Sequence, residues 1–224
     1  MHLGQQYCRS HLTEADRAFV GEVLSDQIDP QDEAIWQDEA QRDALLDDDL
    51  LFQEVLDCRE ILPVSLELYF YVLLRHVLRS TPLDERCVAD YLACSLTRAL
   101  KSERKLPPLY VIDVLHKLDG LNDSQQFYER VQLADDSLIL TGIFPEHIQF
   151  RTQRRGAPSL HYYEGVGRMQ YQCAGEHRLA QEHELGPIFI CLSEEFSHAR
   201  KALNQLSDQL VSLGEIPIDF DKLL

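Results

Sequence analysis

The chain has 224 residues, 45% of them hydrophobic and 26% charged, and a formal net charge of -17. That length buries roughly 70% of the surface an unfolded chain exposes, which suits one large domain of ordinary globular composition. The acidity opposes general attraction to nucleic acid or anionic lipid, so direct nucleic-acid binding is not expected, while a local basic site stays compatible with it.

Only 10 Gly and 9 Pro punctuate the chain. With Leu, Ala, Glu and Gln plentiful, helices are favoured over a turn-rich sandwich or barrel. The opening MHLGQQYCRSHLTEADR carries no basic-then-apolar leader pattern. The most apolar run, Val64–Leu78, is interrupted by Glu67, Arg75 and His76 and is too short to span a bilayer. No membrane association and a cytoplasmic location are therefore expected. The six Cys, at 8, 58, 87, 94, 173 and 191, form no C-x-x-C pair. They read as reduced thiols, several of them small core residues.

Residues 1–12 read as loosely attached. Thr13 predicts a cap for a helix over about 14–27, with Asp16 in its first turn and Phe19, Val20, Val23 and Leu24 on one face. Asp29-Pro30 predicts a restart. From Asp26 to Asp57 acids are opposed only by Arg42, yet Ile35, Trp36, Leu45, Leu46, Leu50, Leu51, Phe52, Val55 and Leu56 persist among them. An amphipathic helical pair with an acidic outer face is expected there, rather than a disordered tail.

Pro63 opens the most apolar helix, and this is the expected centre of the fold. Thr81-Pro82 predicts the start of a helix reaching Lys101, followed by a basic linker over Ser102–Pro108. Helices are then expected at Leu109–Leu118, at Asn122 or Asp123 through Val131, and at Asp135–Ile143, the last stopping near Pro145. His147–Arg154 adds a turn or two before the Gly156-Ala157-Pro158 break. Ser159 caps a helix over Leu160–Leu179, and Leu185-Gly186-Pro187 breaks the chain before a long helix over Ile188–Leu213. The tail from 215 to 224 alternates apolar and polar residues and reads as extended. The expectation is a single all-α bundle of about nine helices, with no sheet, repeat or low-complexity tract.

The standard catalytic and nucleotide-binding signatures are missing, so no catalytic residue and no cofactor is assigned. Gly165-Val166-Gly167 lies in a helical pattern without a preceding strand and reads as helix-packing glycine, not a phosphate loop. Cys173, His177 and His183, and the E-x-x-H pair Glu195 and His198, have loosely metal-like spacing. A second E-x-x-H is lacking, and no metal ligand is assigned.

The stretch Leu138–Cys173 carries the most distinctive chemistry. Arg151, Arg154 and Arg155 precede Gly156, and the next helix bears Tyr162, Tyr163, Arg168 and Tyr171. Tyr163, Gly167 and Tyr171 share one face, and Glu164 and Arg168 are spaced for an ion pair. Arginine with tyrosine is the mixture enriched at recognition surfaces. These seven residues form the candidate binding surface. The bland reading has the arginines neutralising the acidic 26–57 region and the tyrosines half-buried with hydroxyls in water.

The function expected from this pattern is a non-enzymatic protein-interaction or regulatory module, with a protein partner or self-association through the opposite charges. A helical-bundle enzyme using a metal near Glu195, His198, Cys173 and His177 is the second reading. An acidic mimic of nucleic acid is the third, and it requires the acids to form one exposed stripe.

Overall fold

A computed structural model describes residues 8–27, 33–58, 62–102, 106, 111–212 and 218–223. The fold is all-α, without strands among the described residues. In chain order the helices are α1 (Glu14–Val23), α2 (Glu33–Gln37), α3 (Glu39–Leu46), α4 (Asp49–Leu56), α5 (Leu66–Leu78), α6 (Arg86–Lys101) and α7 (Val111–Leu118). They continue with α8 (Asp123–Ile143), α9 (Pro145–Arg155), α10 (Leu160–Gly175), α11 (Arg178–Glu182), α12 (Gly186–Glu194) and α13 (Phe196–Ser212). Single 3-10 turns lie at Cys8–Ser10 and Phe220–Leu223.

Local side-chain chemistry explains where most helices begin. Thr13 and Asp16 form a reciprocal capping box on α1, and Asn122 and Gln125 do the same on α8. Ser65 and Ser159 cap α5 and α10. Each such cap is worth about 1 kcal/mol.

Several expected boundaries move, each for a local reason. The acidic stretch forms three short helices rather than a pair, because Asp38 and Asp48 accept from the Gln41 and Leu50 amides and restart the helix. Thr81-Pro82 does not open α6. The Thr81 hydroxyl donates to the Leu78 carbonyl at 2.9 Å and accepts from the Leu83 amide at 3.1 Å, closing a turn before Arg86. Asp123–Ile143 is one unbroken helix. It stops before Pro145 as expected, and Pro145 also starts α9 at its first helical position, where its missing N–H loses nothing. The helix expected over 160–179 stops at Gly175, since the His177 imidazole accepts from the Leu179 amide and begins α11. The one expected over 188–213 is interrupted at Glu195. Asp29-Pro30 and most of Ser102–Pro108 lie outside the described residues.

The core has two centres rather than one. α5 is buried almost throughout, from Leu68 to Leu78, and packs on α4, α6 and α13. The C-terminal half of α8, from Leu133 to Ile143, is equally buried and packs between α10 and α13. Its polar residues hid this from the sequence reading. Ser137 and Thr141 return their hydroxyls to the Leu133 and Ser137 carbonyls of their own helix, both at 2.7 Å, so they enter the core satisfied.

Both chain ends are tied down where they are described. Arg9 donates from its backbone amide and its side chain to Asp90, and from its side chain to Asp43. Ile218, Phe220 and Leu223 are buried.

The two glycines of Gly165-Val166-Gly167 have opposite environments. A Cβ on Gly167 would collide with the Phe196 ring, whereas one on Gly165 would meet nothing within 4 Å. Gly167→Ala should therefore cost about 1–3 kcal/mol by overpacking α10 against α13. Gly165→Ala should stabilise by up to ~1 kcal/mol through helix propensity alone. Urea unfolding of the two variants must move the midpoint in opposite directions.

Candidate functional site

The α9–α10 corner is shaped by the left-handed Gly156, at φ 62°, which ends α9 just after its three arginines. Cations at a helix C-terminus also complement the helix dipole. Ser159 then restarts the chain as α10. Thr152 donates to the Ile148 carbonyl at 2.9 Å and to Pro158 at 3.0 Å, joining α9 to the turn.

The seven candidate residues separate into two groups. Arg154 and Arg155 are exposed, and Arg154 stacks over the Phe150 ring at 5.3 Å. Arg151 is half-buried, with its Nε shielded and without a hydrogen-bond partner. Tyr162 is 40% exposed. Arg168 is exposed and donates to the Glu194 carbonyl at 3.2 Å. Tyr163 and Tyr171, by contrast, are buried. Their shared spacing with Gly167 is real, but that face is the core face of α10.

The expected Glu164–Arg168 pair does not form. Glu164 turns to Arg200 on α13, at 2.6 Å and largely buried, while Arg168 reaches α12. The outer face of α10 instead runs through Tyr162, Gly165, Arg168 and Met169. Phe150, Tyr162 and Met169 are 52%, 40% and 48% exposed, three of the six large hydrophobic residues so exposed among the described residues.

The bland roles expected for the arginines and tyrosines are not those seen. The acidic 26–57 stretch is neutralised from elsewhere: Asp43 by Arg9, Asp47 by Arg75 at 3.0 Å and Arg86 at 2.7 Å, Asp49 by Arg79 at 2.8 Å. Arg17 reaches Glu33 at 3.5 Å. No ion pair involves Arg151, Arg154 or Arg155 among the described residues. Asp43 is buried and Asp47 turns to Arg75 and Arg86, while Glu33, Asp38, Glu39, Asp49, Glu54 and Asp57 are exposed.

The tyrosine on the core face reveals a site that spacing alone did not show. Asp135 on α8 is fully buried and accepts from Tyr91 at 2.6 Å, Tyr171 at 2.7 Å, Ser95 at 3.2 Å and Arg98 at 3.5 Å. These donors come from α6 and α10, so one carboxylate ties three helices together. Burial pushes the Asp135 carboxyl above its ordinary value, while Arg98 and the hydroxyl donors pull it back. Burial beside Asp135 also pushes both tyrosine hydroxyls well up. The available signal was two adjacent acids, Asp135-Asp136, inside an apolar helical run.

The metal-like spacings resolve into pairs. His177 meets Asp123 at 3.0 Å and stacks on Phe127, and Glu195 meets His198 at 2.7 Å. No group of three or more His, Cys, Asp or Glu suited to a metal occurs among the described residues. The six cysteines are free thiols, and burial pushes Cys87 and Cys94 up to about 11. Neither supplies much thiolate at neutral pH.

Among the described residues no helix is long and apolar enough to cross a membrane. No protein-family model, no curated protein and no solved structure matches the chain.

Proposed function

We propose that this protein is a non-enzymatic interaction module that docks a carboxylate-bearing surface of a protein partner on the outer face of α9 and α10. One observation carries the reading. Phe150 on α9 and Tyr162 and Met169 on α10 stand exposed, Arg154 stacks on Phe150, and neither Arg154 nor Arg155 enters an ion pair among the described residues. In a chain with 38 acidic and 21 basic residues, two neighbouring arginines without an ion pair among the described residues are a local inversion of charge.

Aromatic and Met side chains supply apolar contact area, and arginine adds directional donors to carboxylates. Stacking on Phe150 pre-orders the Arg154 guanidinium, so less freedom is lost on docking. Local charge of this kind acts mainly on association rate and orientation. A second copy of the chain, presenting its acidic helices, is one partner with the required chemistry.

Arg154→Glu with Arg155→Glu should weaken the complex by at least about tenfold, or ~1.4 kcal/mol, and flatten its salt dependence. Both positions are exposed, so the fold should lose only the helix-end charge contribution, about 1–2 kcal/mol, and stay folded. A photo-crosslinking residue at Met169 would trap the partner, and sedimentation at low and high salt would report self-association. The reading fails if the chain is a monomer throughout and Met169 traps nothing that the double charge reversal releases.

A further inference from the structure

The described C-terminal segment, residues 218–223, contacts the core differently from any helix. Ile218, Phe220 and Leu223 point inward, while Asp219 and Lys222 face solvent. Phe220 lies against Phe70 of α5, with ring centroids 6.3 Å apart, and the turn packs on α6. One backbone hydrogen bond fastens its end: the Leu106 amide donates to the Leu223 carbonyl at 2.7 Å.

Leu106 and Leu223 form part of the wall of a cavity of about 30 Å³, together with Ser95, Arg98, Gln132, Asp135 and Asp136. That is room for about one water molecule. The cavity reaches the same Asp135 that ties α6, α8 and α10 together, so removing the segment would take away one side of its wall.

Burying three apolar side chains and ordering six residues are opposing effects of similar size. α5, in contrast, is buried along nearly its whole length and gains far more per ordered residue. Segments with few apolar anchors and little backbone bonding belong to the low-stability end of a protein's opening spectrum.

We propose that residues 218–223 form a detachable strap that opens while the helices stay folded and, in opening, takes away one side of the wall of the polar cavity at Asp135. Native-state hydrogen exchange on the full chain tests this directly. The Leu106 amide should exchange, relative to its intrinsic rate, at least about 100-fold faster than the amides of Leu73 and Leu74 in α5. Low urea should accelerate the α5 amides much more than Leu106, because strap opening exposes little surface.

Phe220→Ala should speed exchange at Leu106 by a further tenfold or so and leave Leu73 and Leu74 unchanged. A free peptide with the sequence of residues 215–224 should then slow it again. The proposal is overturned if Leu106 and the α5 amides exchange with the same rate and urea dependence in the unsubstituted chain. It is equally overturned if Phe220→Ala accelerates both together. The first comparison needs no variant, so a poorly folding Phe220→Ala chain does not rescue the idea.

Discussion

Asp135→Ala should lower the unfolding free energy by about 3–5 kcal/mol, the range seen when one partner of a buried charged network is removed. Asp135 is fully buried and satisfies two tyrosine hydroxyls, a serine hydroxyl and part of a guanidinium. Its loss leaves the Tyr91, Tyr171 and Ser95 hydroxyls with only one another as partners, so the group is short of an acceptor in the core. It also leaves a space about the size of the removed carboxyl.

A cycle of substitutions separates this account from simple loss of volume. Tyr171→Phe should cost about 1–2 kcal/mol in the original chain, where a hydrogen bond is lost. In the Asp135→Ala background the same change removes a hydroxyl that has already lost its carboxylate acceptor, so it should cost less than in the original chain. Urea midpoints of the four chains decide it. Equal costs for Tyr171→Phe in both backgrounds would show that Asp135 does not hold the tyrosine.

Arg9→Ala should cost about 3–5 kcal/mol at neutral pH, because Asp90 is then left in the core without its cation and Asp43 keeps only the longer contacts to Arg42 at 3.7 Å and Arg86 at 3.8 Å. Asp90 is fully buried and Asp43 nearly so, which sets this pair apart from an exposed salt bridge worth less than about 1 kcal/mol. Burial opposes charge on Arg9 as well, but the adjoining Asp90 outweighs it and holds the guanidinium protonated.

The loss should shrink on acidification. Burial pushes Asp90 up from 3.8 to about 6 even while Arg9 pulls it down. Without Arg9 it moves higher, so the carboxyl becomes neutral at mildly acidic pH and its orphaned charge disappears.

The sign for the unsubstituted chain follows from the same shift. An unfolded Asp titrates near 3.9, so between there and about 6 the folded chain holds a proton that the unfolded chain has released. The contribution of Asp90 is therefore most favourable below about 3.9, declines as pH rises, and is least favourable above its folded value. Moving from neutral to about pH 5 should stabilise the chain through Asp90, and Asp90→Asn should remove that part of the slope. An Arg9→Ala loss below ~1 kcal/mol, or one equal at both pH values, would count against the buried-cluster account.

Local signals were legible where side chain and backbone meet within a few residues. Thr13, Asn122 and Ser159 each cap the helix that follows them, whereas the apolar helix expected to open at Pro63 is capped at Ser65 and begins at Leu66. The Val64–Leu78 run is buried as its apolar residues require. The same local rules misplace the start of α6, because Thr81 has two backbone partners within reach and closes a turn with them. Periodicity likewise placed Tyr163 and Tyr171 on one face without saying which way that face points.

By itself, then, the sequence determined that the chain is helical, where several helices begin, and that arginines and aromatics are concentrated around Gly156. Capping and amphipathic periodicity act over one or two turns, and so can be read from neighbours. The tertiary structure decided the rest. It drew Arg9, Arg75, Arg79 and Arg86 onto the acidic helices, leaving Arg154 and Arg155 without ion pairs among the described residues. It also placed Asp135 under hydroxyls from α6 and α10. Charges and hydrogen-bond donors find partners by distance in space, and residues 28 to 44 positions apart meet in these contacts only once the helices have packed.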